Sequence, residues 1–315
     1  MRRGVFDTLR RGFDNAVANW GLIVVRIAEM FLFGLIAVIA AFAIVVPILV
    51  SIGIQFANIT TPDDLVEAMF TLMQQWMLLV WALVAVGVLL IVFVALHSFV
   101  DAGCARVYVD GERMAGPAVE GPRTRFRAFS MERWWAGGRD GWWQVFWIYN
   151  FAWGLAGLIL LIPLIPTLLF MLVFRESPPM VITTGCIGLL LTGMLMILVA
   201  IVTGMWTNRA IADWAVHRTG AATTLSEAWR ALKADLGRHV LIALAIFVVA
   251  MAGSSFFSSF SLISRFASSV HDTLTFSLLT LPLSLAGSIL SSMFSAAIAA
   301  WYLASYAALS VEKKS

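Results

Sequence analysis

MFLFGLIAVIAAFAIVVPILVSIGI, residues 30–54, is an apolar run of 25 residues without a charged side chain. A helix of about 20 apolar residues is long enough to cross the hydrocarbon of a bilayer, so this run predicts a transmembrane helix. A cleaved secretory signal has a hydrophobic segment of only about 7–15 residues, followed by a small-residue cleavage site. We therefore expect the run to remain in the membrane.

Five further apolar runs follow the first one along the chain. The six predicted spans are 20–54, 76–99, 143–174, 181–206, 240–260 and 274–309. The chain is 61% hydrophobic and 12% charged, whereas soluble domains have about 45–50% apolar and about 25% charged residues. The sequence thus predicts an all-α membrane helix bundle with six transmembrane helices.

The connections between the spans differ strongly in basic residues. The N-terminal arm, the segments 101–142 and 207–239 and the C-terminal tail together hold 19 of the 21 Lys and Arg residues, if Arg26 is counted with the arm. Lys and Arg accumulate in cytoplasmic loops. This bias predicts that both termini are cytoplasmic and that the protein lies in the plasma membrane, the inner membrane of a bacterium.

Two cytoplasmic segments have the periodicity of amphipathic helices. VFDTLRRGFDNAVANW, residues 5–20, places Phe6 and Phe13 on an apolar face and Arg11 and Asn15 on a polar one. TLSEAWRALKADLGRH, residues 224–239, begins with a capping-box spacing. Both predict helices that lie in the membrane interface and lead into a span.

The equivalent segment before the third span is FRAFSMERWWAGGRDGWWQVFW, residues 126–147. It is less regular, and Gly137 and Gly138 are expected to break its helix before Trp142. The chain is thus interpreted as three units, each with an interfacial amphipathic helix followed by a membrane hairpin.

A single membrane domain, 1–315, is predicted. Its order is an amphipathic helix at 1–19, spans at 20–99, a cytoplasmic connection with an interfacial helix at 100–142, spans at 143–206, a connection with an amphipathic helix at 207–239, spans at 240–309 and a tail at 310–315.

Two cytoplasmic stretches resemble a known bacterial family. They are ADWAVHRTGAATTLSEAWRALKADL, residues 212–236, and ARVYVDGERMAGPAVEGPRTRFRAF, residues 105–129. They are similar to the membrane domains of glycerophosphoryl diester phosphodiesterases and of related stand-alone six-span proteins. The resemblance implies a membrane fold. It does not imply the phosphodiesterase reaction, because the family's hydrolases carry a separate soluble barrel and the longest non-membrane stretch here has about 42 residues.

The segment 126–147 holds five tryptophans and three arginines. Such a mixture can bind nucleic acid, form a ligand cage or contact a membrane surface. Its place before a span favours the membrane, because tryptophan is enriched at the interface and arginine binds anionic headgroups. No nucleic-acid partner is expected. The candidate residues for contact with a lipid or a protein partner are Arg127, Arg133, Trp134, Trp135, Arg139, Trp142 and Trp143.

Polar side chains inside the spans form a second candidate set, because they are costly at membrane depth. Arg26 and Glu29 have the spacing of an interfacial ion pair, and an ion or headgroup site is the alternative. His97 and Asp101 lie one turn apart and predict either a hydrogen-bonded pair or a proton relay. Asn150 predicts a bond to a neighbouring helix or a cavity lining.

Small residues recur every four positions in the last span, which predicts close helix packing rather than a polar pore. The candidate packing residues are Ser284, Gly287, Ser288, Ser291, Ser292 and Ser295.

No catalytic motif or metal-ligand spacing is found in the sequence, so neither a cofactor nor a metal is expected. We therefore expect a non-enzymatic membrane protein that acts as a scaffold, as a partner of other membrane proteins or through lipids. A transporter or channel for a small solute or lipid-like molecule is the alternative, since broken spans and internal repetition are typical of transporters.

Overall fold

The structure is a computed structural model that describes residues 3–52, 76–117, 121–174, 177–270 and 274–312. Within the helices, side chains are described except at 47–49, 51, 52, 78, 79, 178, 258, 260–270, 274–281, 283 and 284. This part of the chain forms eight α-helices and one short 3-10 turn, Arg123–Phe126. The helices are α1 (Val5–Ala18), α2 (Gly21–Ile52), α3 (Trp76–Ala115), α4 (Met131–Val173), α5 (Pro178–His217), α6 (Ala221–Ala234), α7 (Leu236–Val270) and α8 (Leu274–Val311).

Six of these helices, α2–α5, α7 and α8, are long and apolar enough to cross a membrane, which confirms the predicted fold class. The longest, α4, has 43 residues and is therefore about 65 Å long at 1.5 Å per residue. The hydrocarbon of a bilayer is about 30 Å thick. The membrane helices thus extend well beyond the part that a bilayer would cover.

The chain divides into two compact units, Met1–Val25 with Ser98–Ser315 and Arg26–His97. The smaller unit contains most of α2 and the first part of α3. In it, the rings of Phe33 and Phe93 pack at a centroid distance of 4.8 Å.

The larger unit has two regions with different packing. We call the packed end the region formed by α1, α6, residues 98–115 of α3, 131–152 of α4, 203–217 of α5, 236–246 of α7 and 296–311 of α8. Its largest fully buried side chains include Trp214, Tyr108, Tyr306, Ile148 and Met205. We call the apolar arms the remaining parts of α4, α5, α7 and α8. Most large apolar side chains of the arms are exposed, as expected for a surface that faces lipid.

Helix α8 is the most enclosed of the membrane helices in the described residues. It packs against α1, α5 and α7. Half of the residues in its most apolar 18-residue stretch are buried, compared with about a tenth or fewer in the corresponding stretches of the other five. Ala296, Ala300, Ala304 and Ala308 lie in the packed end and are all buried. Small side chains at this spacing let the neighbouring helices come close.

The expected helix break at Gly137 and Gly138 is wrong, because α4 runs continuously through both residues. A Cβ atom at Gly137 would lie 2.8 Å from the Cβ of Arg106, and one at Gly138 would lie 2.8 Å from the Phe99 ring. The glycines therefore allow α3 to approach α4 closely. The segment before the third span therefore forms no separate interfacial helix. Its residues 131–147 are the first turns of α4 itself.

Helix α6 begins at Ala221, three residues before the predicted start. Thr224, expected to cap the helix, lies in its first turn and donates a hydrogen bond to the Gly220 carbonyl at 2.9 Å. Leu225 and Leu232 are buried, whereas Trp229 is 37% exposed. The predicted apolar face is thus only partly covered by protein.

Candidate functional site

The tryptophan- and arginine-rich segment forms the start of α4. The Ser130 side chain accepts a hydrogen bond from the backbone N–H of Arg133 at 3.2 Å and so fixes the first turn. One face of these turns is buried, including Gly137, Gly138 and Gly141. Six of the seven candidate contact residues are exposed: Arg127, Arg133, Trp135, Arg139, Trp142 and Trp143.

Trp134 differs from the other candidates because it points into the protein. It is only 8% exposed, and its ring packs edge-on against Phe99 at a centroid distance of 5.6 Å. A Cβ atom at Gly103 would lie 2.6 Å from the Trp134 ring, so a glycine makes room for the indole. Direct contact between Trp134 and lipid therefore does not fit its position.

The exposed aromatic rings contact one another along α4. Trp142 packs against Trp143 at 5.3 Å, Trp143 against Trp147 at 5.6 Å, and Trp147 against Phe151 at 5.2 Å between centroids. These residues span more than two turns of the helix. The tryptophan indoles combine an apolar ring with a polar N–H group, so they suit the boundary between headgroups and hydrocarbon.

A shallow depression of about 370 Å³ lies one to three turns before this row of rings. It is lined by Met131, Glu132, Trp135, Ala136 and Arg139. The Arg139 side chain is 73% exposed and lies 3.5 Å from Asp140, a distance typical of a weak surface ion pair. The guanidinium is thus accessible beside the half-exposed indole of Trp135.

A buried ionic cluster joins α1 to the end of α3. The Glu112 carboxylate accepts hydrogen bonds from Arg3 at 2.6 Å and from Arg11 at 2.7 Å. The side chains of Arg11 and Glu112 are both fully buried. Burial lowers the pKa of Arg11, and the adjacent Glu112 carboxylate raises it. The guanidinium of an arginine stays protonated in proteins, so the cluster remains charged.

The polar face of α1 is not turned to water as a whole, because Arg11 and Asn15 are fully buried. Helix α1 packs on the protein through a mixed face that also includes the buried apolar residues Leu9 and Ala16. Phe6 is 86% exposed and Phe13 is 43% exposed. These two outward rings suit contact with the membrane interface.

Two asparagines, one in α1 and one just after it, bond α3 and the chain that enters α4. Asn15 donates a hydrogen bond to the Tyr108 carbonyl at 2.8 Å. Asn19 donates to the Phe126 carbonyl at 2.9 Å and accepts from the backbone N–H groups of Ala128 and Phe129, both at 2.8 Å. The start of α4 is therefore positioned from α1.

The candidate polar residues of the smaller unit lie together. The Arg26 and Glu29 side chains are 4.0 Å apart. His97 Nδ1 is 2.7 Å from Glu29 Oε1. The Glu29 carboxylate thus has two basic neighbours. The Arg26 guanidinium is always charged, whereas the His97 imidazole is charged only when it is protonated.

Asp101 and Asn150 lie in the larger unit. Asp101 is buried and accepts a hydrogen bond from the Tyr149 hydroxyl. The Asn150 side chain donates to the Phe146 carbonyl of its own helix at 2.7 Å. The predicted interhelical bond of Asn150 is thus replaced by a local one.

The candidate packing residues of α8 differ in their surroundings. Gly287 is buried, Ser288 is exposed, and Ser291, Ser292 and Ser295 are half-buried. Ser292 donates to the Ser288 carbonyl at 2.9 Å. Ser284 lies outside the described side chains.

The chain matches no family model, no curated protein and no solved structure. Among the described residues, no group of three or more His, Cys, Asp or Glu side chains is arranged to hold a metal ion.

Proposed function

We propose that this protein is a non-enzymatic component of the bacterial inner membrane that binds anionic lipid headgroups on the cytoplasmic side. The observation that carries the proposal is the α4 face, by which we mean the exposed side of the start of α4 together with Arg127, which precedes the helix. There, Arg127, Trp135 and Arg139 are accessible just before a row of exposed tryptophans at the start of a span. Arginine near an anionic membrane surface contributes about 1 kcal/mol per residue, and tryptophan anchors the helix at the interface.

The proposed orientation has both termini in the cytoplasm. It is supported by the 19 Lys and Arg residues of the arm, two connections and tail. The described parts of the two connections belong to the packed end and the turns that join its helices. Buried ionic groups such as Arg11 and Glu112 are easier to accommodate beside water than in hydrocarbon.

Three outward aromatic residues in and just after α1 support a role at the same interface. Phe6, Phe13 and Trp20 are exposed and recur every seven residues, so they lie on one side of the chain. We propose that this face is embedded among the headgroups and that α1 is an interfacial amphipathic helix. A scaffolding role for other membrane proteins is compatible with this arrangement.

We also propose that the chain shares the membrane fold, though not the reaction, of the glycerophosphoryl diester phosphodiesterase membrane domains that it resembles.

We do not propose that the protein transports a small solute. Asn150, the deepest polar candidate in the third span, bonds the backbone of its own helix.

The experiment compares two double variants that remove the same charge. Arg127→Gln with Arg139→Gln changes the α4 face, and Arg230→Gln with Lys233→Gln changes two exposed positions of α6. Each protein is transferred into vesicles that contain phosphatidylglycerol and phosphatidylcholine, and the retained lipids are counted by native mass spectrometry. We expect the α4 variant to retain about thirtyfold less phosphatidylglycerol, because two arginines at about 1 kcal/mol each contribute about 2 kcal/mol, and the α6 variant to match the unaltered protein.

An equal loss in both variants would show only a general effect of net charge, and the site on α4 would be rejected. Unchanged retention in the α4 variant would reject it as well. The midpoint of thermal unfolding in detergent is measured in parallel, because both α4 arginines are exposed and their replacement should leave the fold intact.

A further inference from the structure

A groove of about 510 Å³ lies between α5, α7 and α8, away from the α4 face. Fifteen residues line it, and Ser254, Ser295 and Tyr302 are the ones with polar side chains. The volume is within the range of about 300–1,000 Å³ that ligand sites have. The lining has no charged residue, so a polar solute would gain little from entering it.

Small residues form the floor of the groove. A Cβ atom added at Gly204 would have no atom of another residue within 4 Å, so the floor is open at this point. The walls are larger side chains of α7, where Leu244 and Phe247 are both 53% exposed. At one end the Phe294 ring packs on Gly253, whose added Cβ would lie 2.1 Å from it.

All the lining residues belong to helices that are long and apolar enough to span a membrane. On α7 the lining extends from Val240 to Ser254, a length of about 21 Å at 1.5 Å per residue. One leaflet of a bilayer has a hydrocarbon depth of about 15 Å, half of about 30 Å. The groove is therefore about as long as one leaflet is deep.

The chemistry of the groove favours an aliphatic chain as its occupant. Twelve of its fifteen lining residues have no polar side-chain atom. An aliphatic chain needs no hydrogen-bond partner there, so it loses nothing by entering.

We propose that the groove binds one acyl chain of a phospholipid from the cytoplasmic leaflet. The end with Gly204, Val240 and Tyr302 belongs to the packed end, so in the proposed orientation it lies towards the headgroups. Tyrosine is enriched at this level of a membrane. The end beside Phe294 holds the tip of the chain. This inference is independent of the headgroup site on α4, because the two sites share no residue.

The first test fills the groove with a side chain. Gly204→Leu places a side chain on its open floor, and Gly193→Leu is the matched control on the same helix, where an added Cβ also meets no atom within 4 Å. Both variants are washed in detergent, and the tightly bound phospholipid is counted by native mass spectrometry. We expect Gly204→Leu to bind the retained lipid about tenfold less, equivalent to about 1.4 kcal/mol, and Gly193→Leu to bind it normally.

The second test keeps the groove open and applies even if Gly204→Leu fails to fold. A photoreactive phenylalanine analogue replaces Phe247 or its neighbour Val248, which are 53% and 57% exposed. After the detergent wash, a crosslink to an acyl chain is expected from position 247 and about tenfold less from position 248, which lies outside the groove. Equal lipid crosslinking at both positions, or crosslinking of position 247 to another protein chain, would overturn the proposal. Both tests would give the expected result even if the α4 headgroup site were rejected.

Discussion

The packed end and the apolar arms of the larger unit are parts of the same helices, yet they are stabilised differently. On α4, Ile148 in the packed end is fully buried and Ile162 in the arm is 68% exposed. On α5, Met205 is 1% exposed and Leu190 is 63% exposed. The same kinds of side chain thus have opposite environments within a few turns.

The difference follows from the solvent around each region. Lipid tails are as apolar as leucine, so burying an apolar side chain against protein gains little in the arms. Close packing and polar bonds have to determine instead which helices associate and how they are arranged. The packed end has both, in its close-packed glycines and in the buried cluster of Arg3, Arg11 and Glu112. We therefore expect mutations in the packed end to cost far more stability than mutations in the arms.

The largest effect is expected for Glu112→Gln. The change removes the carboxylate that Arg3 and Arg11 share, and breaking a buried ion pair costs about 3–5 kcal/mol. Asp110→Asn is the control on the same helix. Asp110 pairs with Arg106 and Arg113 at 3.2 and 3.8 Å, but its side chain is 21% exposed, so a loss below about 1 kcal/mol is expected. Reversible unfolding in mixed micelles measures both, and similar losses would contradict the distinction.

A second pair of variants separates the neighbouring tryptophans of α4. Trp134→Ala removes a buried ring and should destabilise the protein by about 3 kcal/mol. Trp135→Ala removes a ring that is 57% exposed, so we expect a loss of stability below about 1 kcal/mol and weaker retention of anionic lipid. Unfolding free energies and lipid counts are measured on both proteins. A larger stability loss for Trp135→Ala would mean that the two roles are assigned the wrong way round.

A third pair compares two glycines of α4. A Cβ atom at Gly141 would lie 1.9 Å from the buried Trp214 ring, whereas one at Gly154 would meet no atom within 4 Å. Gly141→Ala should therefore destabilise the protein by about 1–3 kcal/mol through overpacking. Gly154→Ala should stabilise it by up to about 1 kcal/mol, because alanine favours a helix. Thermal unfolding in detergent gives both signs, and a stabilising Gly141→Ala would show that the packed end is looser than described.

The membrane fold could be predicted from the sequence because it depends on length and composition. Runs such as 30–54 are too long and too apolar for a soluble domain, and no contact needs to be known to recognise them. The starts of the helices were predicted less well. Thr224 has the spacing of a cap, but the helix begins at Ala221 with Gly220 as its cap, since a threonine can equally bond a carbonyl one turn back.

The site could be predicted only in part, since an amphipathic pattern gives two faces without saying which one meets protein. For a soluble helix the apolar face is buried, but beside a membrane the apolar face can meet lipid instead. That is why Arg11 and Asn15 are buried while Phe6 is exposed. Gly12 lies on the side of α1 that packs on protein, because an added Cβ would be 2.7 Å from the Ser305 backbone. A glycine at this point of the sequence therefore indicates which side of α1 is buried. The Gly137–Gly138 pair was likewise misinterpreted, since close approach and helix breaking both favour glycine.

The docking of α1 on α8 has a consequence for biosynthesis. The Trp301 indole donates a hydrogen bond to the Leu9 carbonyl at 2.9 Å, across 292 residues of sequence. Ribosomes add about 5–20 residues per second, so α1 leaves the ribosome roughly 15–60 s before its partner exists. During that time its polar face lacks both Trp301 and the later-made Glu312, which bonds the Arg3 backbone. Helix α1 is thus made long before it is locked in place, and newly made chains have to hold it at the membrane surface until then.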